Sequence, residues 1–247
     1  MLRTIICALY VVIVFIISLP ILGIEWLIAR KWPNAGDRSF LHILQGFSRG
    51  LLFLSGVKLT VKGKDNIPPD EPVLYIGNHR SLFDLPLTII NCPGPTGYIA
   101  KKELEKVPVL NIWIRRLHGY FIDREDVRNG LKVILASIDQ VKNNHISMFI
   151  FPEGTRNRNA DETELLEFHE GSFKIATKSG CRIVPVAISG SQDIFEGHFP
   201  YVHARRIIVE YGNPIDPKEL TGDDKKFIGR YVRSLLTGML KKNEKEL

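Results

Sequence analysis

The chain has 247 residues, of which 45% are hydrophobic, and a formal net charge of +6. This length suits one α/β domain with an additional element, and the basic charge suits an anionic membrane surface or a phosphorylated substrate. Because zinc-finger spacing, an RNA-binding aromatic motif and long basic runs are all missing, no nucleic-acid partner is expected. The spacing of Cys7, Cys92 and Cys181 matches neither a disulfide framework nor a metal site, which indicates a reducing compartment.

The N-terminal segment is expected to associate with a membrane. An uncharged run of 21 residues extends from Thr4 to Ile24, which is about the length that crosses a bilayer core. Trp26 and Trp32 follow as interfacial anchors would, with Arg30 and Lys31 between them, which places the rest of the chain in the cytoplasm. A cleaved signal peptide is disfavoured, since bulky residues occupy the region where cleavage requires small ones.

A second apolar segment runs from Phe40 to Val57 and is interrupted by His42, Gln45 and Arg49. The interruptions predict an amphipathic helix in the interface rather than a second spanning helix. Residues Pro33 to Gly36 form the predicted turn between the two segments. A single spanning helix and a helical hairpin that enters one leaflet both remain open, because segment length does not fix orientation.

The rest of the chain alternates short β-rich runs with helical stretches, which is typical of an α/β sheet. We therefore predict a mixed, largely parallel sheet flanked by helices over residues 57–247, preceded by a membrane-associated helical module over residues 1–56. The predicted strands are Val57–Lys62, Val73–Gly77, Gly97–Ala100, Gly119–Ile122, Ser147–Phe151, Ile183–Ile188 and Ile207–Tyr211. The predicted helices are Leu82–Ile90, Val109–Arg116, Arg128–Asn143, Ser172–Ser179 and Asp224–Lys242.

A histidine and an aspartate follow the predicted strand that ends at Gly77. We expect Ser81 to cap the next helix, and the first turn of that helix can bring the Asp84 carboxylate back to the His79 imidazole. A carboxylate on one ring nitrogen leaves the other nitrogen free to act as a general base for a substrate hydroxyl. The spacing alone is common by chance, so a structural histidine at the end of a strand is the alternative.

Three other predicted strands are followed by cationic side chains, namely Lys101, Arg124 and Arg156. Arginine offers a fork of donors that matches phosphate geometry, so the three residues predict a phosphate pocket. Gly154 permits a tight turn next to this pocket. Glu153 is predicted either to accept hydrogen bonds from a glycerol hydroxyl or to hold Arg156 in place.

Four blocks of the sequence together resemble the glycerolipid acyltransferase family. They are Asn78–Asp84, Gly119–Arg124, Phe151–Arg156 and Val184–Ile188, and they appear in the family's order between about Val57 and Pro214. Each block alone is moderately specific, whereas four in order are a strong signal. One place fits loosely, because the basic residue that the family often has after a phenylalanine is here His169, followed by acidic Glu170.

The resemblance implies transfer of a fatty acyl group from acyl-CoA or acyl-carrier protein to the sn-2 hydroxyl of lysophosphatidic acid. It implies that His79 is the general base and that Asp84 orients it, without an acyl-enzyme, a metal or another cofactor. It also implies a set of residues that bind the acceptor's glycerol phosphate: Lys101, Arg124, Glu153, Gly154, Thr155 and Arg156. The expected location is the membrane, with the catalytic domain on the cytoplasmic face of the inner membrane.

Three alternatives remain at this point. The first is a related acyltransferase that acts on glycerol 3-phosphate or on another lysophospholipid. The second is a metal-dependent hydrolase that uses His79, Asp84, Glu153 and His169, although their spacing matches no known ligand set. The third is a non-catalytic lipid-binding protein, which the presence of both His79 and Asp84 disfavours.

Overall fold

The computed structural model describes residues 1–247, and its centre is one seven-stranded sheet. The strands are β1 (Lys58–Lys62), β2 (Leu74–Gly77), β3 (Thr96–Lys101), β4 (Tyr120–Ile122), β5 (Ser147–Ile150), β6 (Ile183–Ser189) and β7 (Arg206–Tyr211). Their order across the sheet is β1-β7-β6-β2-β5-β3-β4, and only the β6–β7 pair is antiparallel. Strands β2 to β6 therefore share one direction, and their carboxyl ends lie at one edge, where sites of such sheets form.

Eight α-helices surround the sheet. They are α1 (Leu2–Lys31), α2 (Pro33–Ser55), α3 (Asp84–Ile89), α4 (Leu110–Arg116), α5 (Val127–Asn143), α6 (Lys174–Ser179), α7 (Gly222–Lys226) and α8 (Ile228–Glu244). Successive strand residues point to opposite faces, so Tyr75 packs with α2 and α3, whereas Leu74 and Ile76 pack with α5, α6 and α8. The predicted fold class, a mixed and largely parallel sheet flanked by helices, is confirmed.

All seven predicted strands are present, but several predicted helix limits and one predicted turn differ from the structure. The helix predicted from Ser172 begins at Lys174, after a short 3₁₀ turn. The regular helix after the His79 loop begins at Asp84 rather than at Leu82. The Ser81 hydroxyl accepts from the Phe83 amide at 3.0 Å, as an N-cap residue would, and donates to Glu196 at 2.6 Å. The predicted turn at Pro33 lies inside α2, since proline suits the first helical position, where no N–H is required.

The predicted C-terminal helix is also divided, with a break at Phe227. The Glu170 carboxylate accepts from the Gly229 amide at 3.2 Å, and a Cβ at Gly229 would lie 2.6 Å from the nearer carboxylate oxygen. A carboxylate placed at free N–H groups favours the start of a helix there. This contact gives α8 an N-terminus of its own and explains the break.

Helix α1 lies against the rest of the molecule along its length. It is the one helix that is long and apolar enough to cross a membrane, by length and composition. Four contacts are spread along it. Near its start, the Val202 amide donates to Thr4 Oγ1 at 2.9 Å, and the Tyr10 hydroxyl donates to the Phe47 carbonyl at 3.0 Å. Further along, the Phe15 and Trp113 rings lie 5.2 Å apart, and the Ser39 hydroxyl donates to Glu25 at 2.7 Å. Helices α1 and α2 pack against each other as a helical hairpin.

An ion-pair cluster fixes α2 to the sheet domain. Asp37 accepts from Arg116 and lies 2.8 Å from His118 Nε2, and Arg116 also lies over the Phe40 ring. Burial alone would raise the pKa of Asp37, but hydrogen bonds and positive charge from His118 and Arg116 outweigh it and lower that pKa. The predicted domain boundary after residue 56 falls between α2 and β1, yet α2 contributes buried residues to the same core as the sheet.

Candidate active site

The loop that carries His79 leaves the carboxyl end of β2 and is fixed to the neighbouring strand β6. Asn78 is fully buried. Its side chain donates to the Ile188 carbonyl at 2.9 Å and accepts from the Ile188 amide at 2.8 Å. This pair of bonds imitates one step of a strand ladder, so it holds the first residue of the loop in register with the sheet. His79 therefore starts from a rigid position.

Asp84 orients the His79 ring. One Asp84 oxygen lies 2.8 Å from His79 Nδ1 and also accepts from the amides of Arg80 and Ser81, at 2.7 and 2.8 Å. Asp84 is fully buried, whereas the His79 side chain is 23% exposed. A carboxylate only accepts hydrogen bonds, so it selects the tautomer with the proton on Nδ1. The His79 ring also stacks on Phe151, with centroids 4.4 Å apart.

The arrangement leaves Nε2 of His79 without a protein partner and with its lone pair directed away from Asp84. A ring that is held by a carboxylate on one side and by an aromatic face on the other has little freedom to rotate. Such an imidazole can accept a proton from a hydroxyl placed at Nε2 and can return it to a leaving group. The geometry is compatible with proton transfer at Nε2.

Glu153 lies beneath this loop and is 4% exposed. One carboxylate oxygen accepts from the His79 amide at 2.9 Å, and the other accepts from the Leu166 amide at 2.9 Å. Burial raises the pKa of Glu153, and the bonds to those two amides oppose this effect. Glu153 thus holds the backbone of the His79 loop in this structure, and each of its oxygens keeps a second lone pair.

Arg156 is held instead by Glu196, which the sequence analysis did not single out. Arg156 donates to Glu196 at 2.9 Å, and the same carboxylate accepts from the Leu82 amide at 2.8 Å and from the Ser81 hydroxyl at 2.6 Å. Glu196 thus joins the arginine to the loop beside His79. No motif marks Glu196, which lies 40 residues from Arg156 in an irregular segment, so no sequence signal could have found it.

A pocket of about 440 Å³ adjoins the His79 loop at the carboxyl edge of the sheet. Phe151, whose ring stacks on His79, is part of its wall. Arg124, His169 and Lys174 also line it, together with the carboxylates of Asp123, Asp126 and Glu170. Those carboxylates accept from Lys102, from the first amides of α5 and from the Gly229 amide. Its apolar wall contains Ile99, Ile122, Val127, Leu131, Ile134 and Ile150. Partial burial lowers the pKa of Arg124, and Glu103 opposes this effect. The pocket therefore combines an apolar wall with charged side chains of both signs.

Glycine is favoured at position 154 of the pocket wall. Its φ is +69°, in the left-handed region, and an added Cβ would lie 2.8 Å from His169 Nε2. The neighbouring Thr155 is exposed. The backbone of this turn therefore approaches the pocket more closely than a side chain would permit.

The three cationic side chains that follow predicted strands, those of Lys101, Arg124 and Arg156, do not converge on one site. Arg124 lines the pocket, and Arg156 lies beside the His79 loop on Glu196. Lys101 is exposed and pairs with Glu103 at 2.7 Å. The pKa of Glu103 is lowered first by its hydrogen bond with Lys101, with a smaller contribution from the charge of Arg124. Lys101 is thus a neighbour of the pocket through Glu103 and is absent from the pocket wall.

The residues of the metal-site alternative do not form a ligand group. No set of three or more His, Cys, Asp or Glu side chains is arranged to hold a metal ion. Asp84 and Glu153 accept from backbone amides, and His169 lies on the pocket side of Gly154.

Comparison with known proteins places this geometry in a family. A family model described as Acyltransferase matches residues 58–189. A 1-acyl-sn-glycerol-3-phosphate acyltransferase of Saccharomyces cerevisiae is 30% identical over 237 residues, which cover 95% of this chain and 73% of the yeast protein. A protein of the same name from Borreliella burgdorferi is 29% identical over 189 residues, which cover 76% of this chain and 74% of that protein.

A solved structure shares the fold over nearly the whole chain. It is the 1-acyl-sn-glycerophosphate (LPA) acyltransferase PlsC from Thermotoga maritima, with a TM-score of 0.77, 23% identity, and coverage of 98% of this chain and 97% of that one. The matched family region includes both the His79–Asp84 loop and the turn that carries Arg156. The chain belongs to the acyltransferase family.

Proposed function

We propose that this protein transfers a fatty acyl group from an acyl thioester to the sn-2 hydroxyl of 1-acyl-glycerol 3-phosphate, giving phosphatidic acid. The observation that carries the proposal is the His79–Asp84 pair, held at 2.8 Å with Nε2 free. Two further observations support the substrate class: an apolar pocket with Arg124 in its wall, and relatives that carry the name of this activity.

The reaction takes place in one ternary complex. The acceptor hydroxyl attacks the thioester carbonyl while His79 Nε2 takes the hydroxyl proton, and Asp84 stabilises the positive charge that develops on the ring. The tetrahedral intermediate then collapses, the carbon–sulfur bond breaks, and His79 returns the proton to the thiolate. An ester and a free thiol result, so no acyl-enzyme, metal or other cofactor is required.

Recognition of the acceptor falls to the two arginines at the carboxyl edge. Arg124 and Arg156 each offer a guanidinium that matches a phosphate. Arg156 already has Glu196 as a partner, so an incoming phosphate competes with that carboxylate. Gly154 permits close approach of the substrate to the backbone. Thr155 and Lys101 are exposed neighbours that contribute less to binding of the acceptor.

The membrane supplies both the acceptor and the destination of the product. The apolar α1 associates with the bilayer, together with α2, as a hairpin that keeps the active-site edge close to the lipid. The basic residues that follow the apolar run support a catalytic domain on the cytoplasmic face of the inner membrane. Acyl-CoA and acyl-carrier protein are both suitable donors, since each presents the acyl group as a thioester.

One assay separates this proposal from its rivals. Purified full-length protein in mixed micelles is given radiolabelled acyl-CoA or acyl-carrier protein, each with lysophosphatidic acid or with glycerol 3-phosphate. We expect label in phosphatidic acid with the first acceptor and little label with the second. Label found only with glycerol 3-phosphate would favour the related acyltransferase. No transfer to either acceptor would contradict the proposal and would favour either an acyltransferase for another lysophospholipid or a non-catalytic lipid-binding protein.

A further inference from the structure

The segment between β6 and β7 exposes two aromatic side chains close to the active site. In this segment, Phe195–Arg205, Phe199 is 74% exposed and Tyr201 is 42% exposed, whereas Val202 beside them is buried. Val202 and Ile194 anchor the segment in the sheet core. A large aromatic side chain exposed to this degree gains nothing from folding, and neighbouring exposed apolar residues mark an interaction surface. We name residues 195–205 the aromatic loop.

The aromatic loop is continuous with the N-terminal end of α1. The Val202 amide donates to Thr4 Oγ1 at 2.9 Å, and Ala204 lies beside Gly56 and Arg3, where α2 ends. The first turns of α1 are also apolar and exposed: Leu2 is 72%, Ile5 53% and Leu9 56% exposed. The exposed apolar first turns of α1 therefore lie next to the aromatic loop.

Positive charge accompanies the aromatic side chains. Arg205 donates to His198 Nε2 at 2.9 Å, and the His198 and His203 rings lie 4.4 Å apart. The pKa of His203 is lowered by desolvation first, and then by the charges of His198, Arg205, the N-terminus and Arg3, so the positive charge of this surface comes from the arginines rather than from His203. Aromatic side chains beside basic ones are the composition of an interfacial anchor, which fits an anionic lipid surface.

The same loop also contacts the active site. Glu196 accepts from Leu82 and Ser81 on the His79 loop, and the Leu82 side chain is 58% exposed. Phe195 and Phe199 pack edge to face at 5.4 Å, which joins the Glu196 end of the loop to its exposed tip. A bilayer in contact with Phe199 would therefore lie next to the entrance beside His79.

We propose that the aromatic loop is a second membrane contact, in which Phe199 and Tyr201 enter the interface of an anionic bilayer beside α1. The contact sets the tilt of the molecule so that the His79 entrance meets the lipid surface. It does not depend on the identity of the reaction, and it would hold even if the proposed acyl transfer were wrong.

The test measures depth at single labelled positions. Phe199→Cys and, as a matched control, Leu235→Cys are made in full-length protein that also carries Cys181→Ser, since Cys7 and Cys92 are buried. Leu235 is likewise apolar and 37% exposed, but it lies on α8 by Gly212, towards the opposite edge of the sheet. Both proteins carry an environment-sensitive fluorophore and are reconstituted into phosphatidylcholine vesicles with phosphatidylglycerol.

We expect brominated lipid to quench the label at position 199 and aqueous iodide to quench the label at position 235. Omission of phosphatidylglycerol should reduce the lipid quenching at position 199. Equal iodide quenching at both positions would overturn the proposal, and so would equal lipid quenching at both, because the loop would then be no deeper than α8. Tyr201→Cys gives a second label in the same loop if the Phe199 variant does not fold.

Binding supplies an independent readout. The double variant Phe199→Ala and Tyr201→Ala should sediment with vesicles that contain phosphatidylglycerol roughly tenfold more weakly than the wild type, because two apolar groups leave the interface. Leu235→Ala is the matched control and should bind like the wild type. Unchanged sedimentation of the double variant would contradict the proposed contact.

Discussion

Replacement of Glu153 by glutamine separates a positioning role from a substrate-binding role. The wild-type carboxylate accepts two backbone amides, one from His79 and one from Leu166. Glutamine keeps one acceptor oxygen but turns an NH₂ group towards the other amide, so one hydrogen bond is lost and a donor faces a donor. A hydrogen bond to a charged group contributes roughly 1.5–3 kcal/mol.

If that loss appears entirely as misplacement of His79, kcat falls about 10- to 150-fold, at a factor of ten for each 1.4 kcal/mol. The KM of the acceptor should change by less than about twofold, because a group used only for positioning does not contribute to uniform binding. Steady-state kinetics with varied acceptor concentration measure both quantities. Glu167→Gln is the matched control, since Glu167 is exposed and lies outside the hydrogen-bond network.

A raised acceptor KM with unchanged kcat in Glu153→Gln would refute this reasoning. That result would mean that Glu153 contacts the acceptor directly, as the sequence alone suggested.

Three further substitutions probe other parts of the account. Asp84→Asn should lower kcat by about 10²- to 10⁴-fold, since the His79 ring loses its orienting acceptor; a wild-type kcat would contradict this role. Arg156→Ala should raise the acceptor KM roughly tenfold or more, from the loss of a charged hydrogen bond, and a rise confined to the donor KM would mean that the two substrate sites are reversed. Asp37→Asn should lower the free energy of unfolding by about 1.5–3 kcal/mol near neutral pH, as measured by denaturant titration in micelles. The pKa of Asp37 is lowered in the folded protein, so the stability that Asp37 contributes is lost as the pH falls through that pKa, below the ordinary 3.8. If the difference in stability between the wild type and Asp37→Asn grew as the pH fell, the proposed role of the Asp37 carboxylate would be contradicted.

Most of the fold could be predicted from the local pattern of the sequence. Short apolar strands such as Ile183–Ser189 are buried on both faces, and their composition alone distinguishes them from the amphipathic helices. Helix ends were less predictable, because they depend on partners far away in the chain. Gly229 starts a helix because Glu170 caps it, and that pairing crosses 59 residues.

The candidate site shows the same division between local and distant information. His79 and Asp84 lie five residues apart, so the sequence places them together, and the structure records their hydrogen bond. The environment of Glu153 was not accessible in this way, because its two partners are backbone amides of separate loops. Glu196 was missed for a similar reason, since only the fold brings it to Arg156 and Leu82.

The most direct test of the central claim is a single-turnover comparison of His79→Ala with the wild type, using labelled acyl thioester and lysophosphatidic acid. Equilibrium binding of lysophosphatidic acid to both proteins is measured in parallel. If His79 is the general base, the rate of acyl transfer falls by about 10²- to 10⁴-fold, while the affinity for the acceptor stays close to that of the wild type. Transfer at nearly the wild-type rate in the variant would contradict the claim.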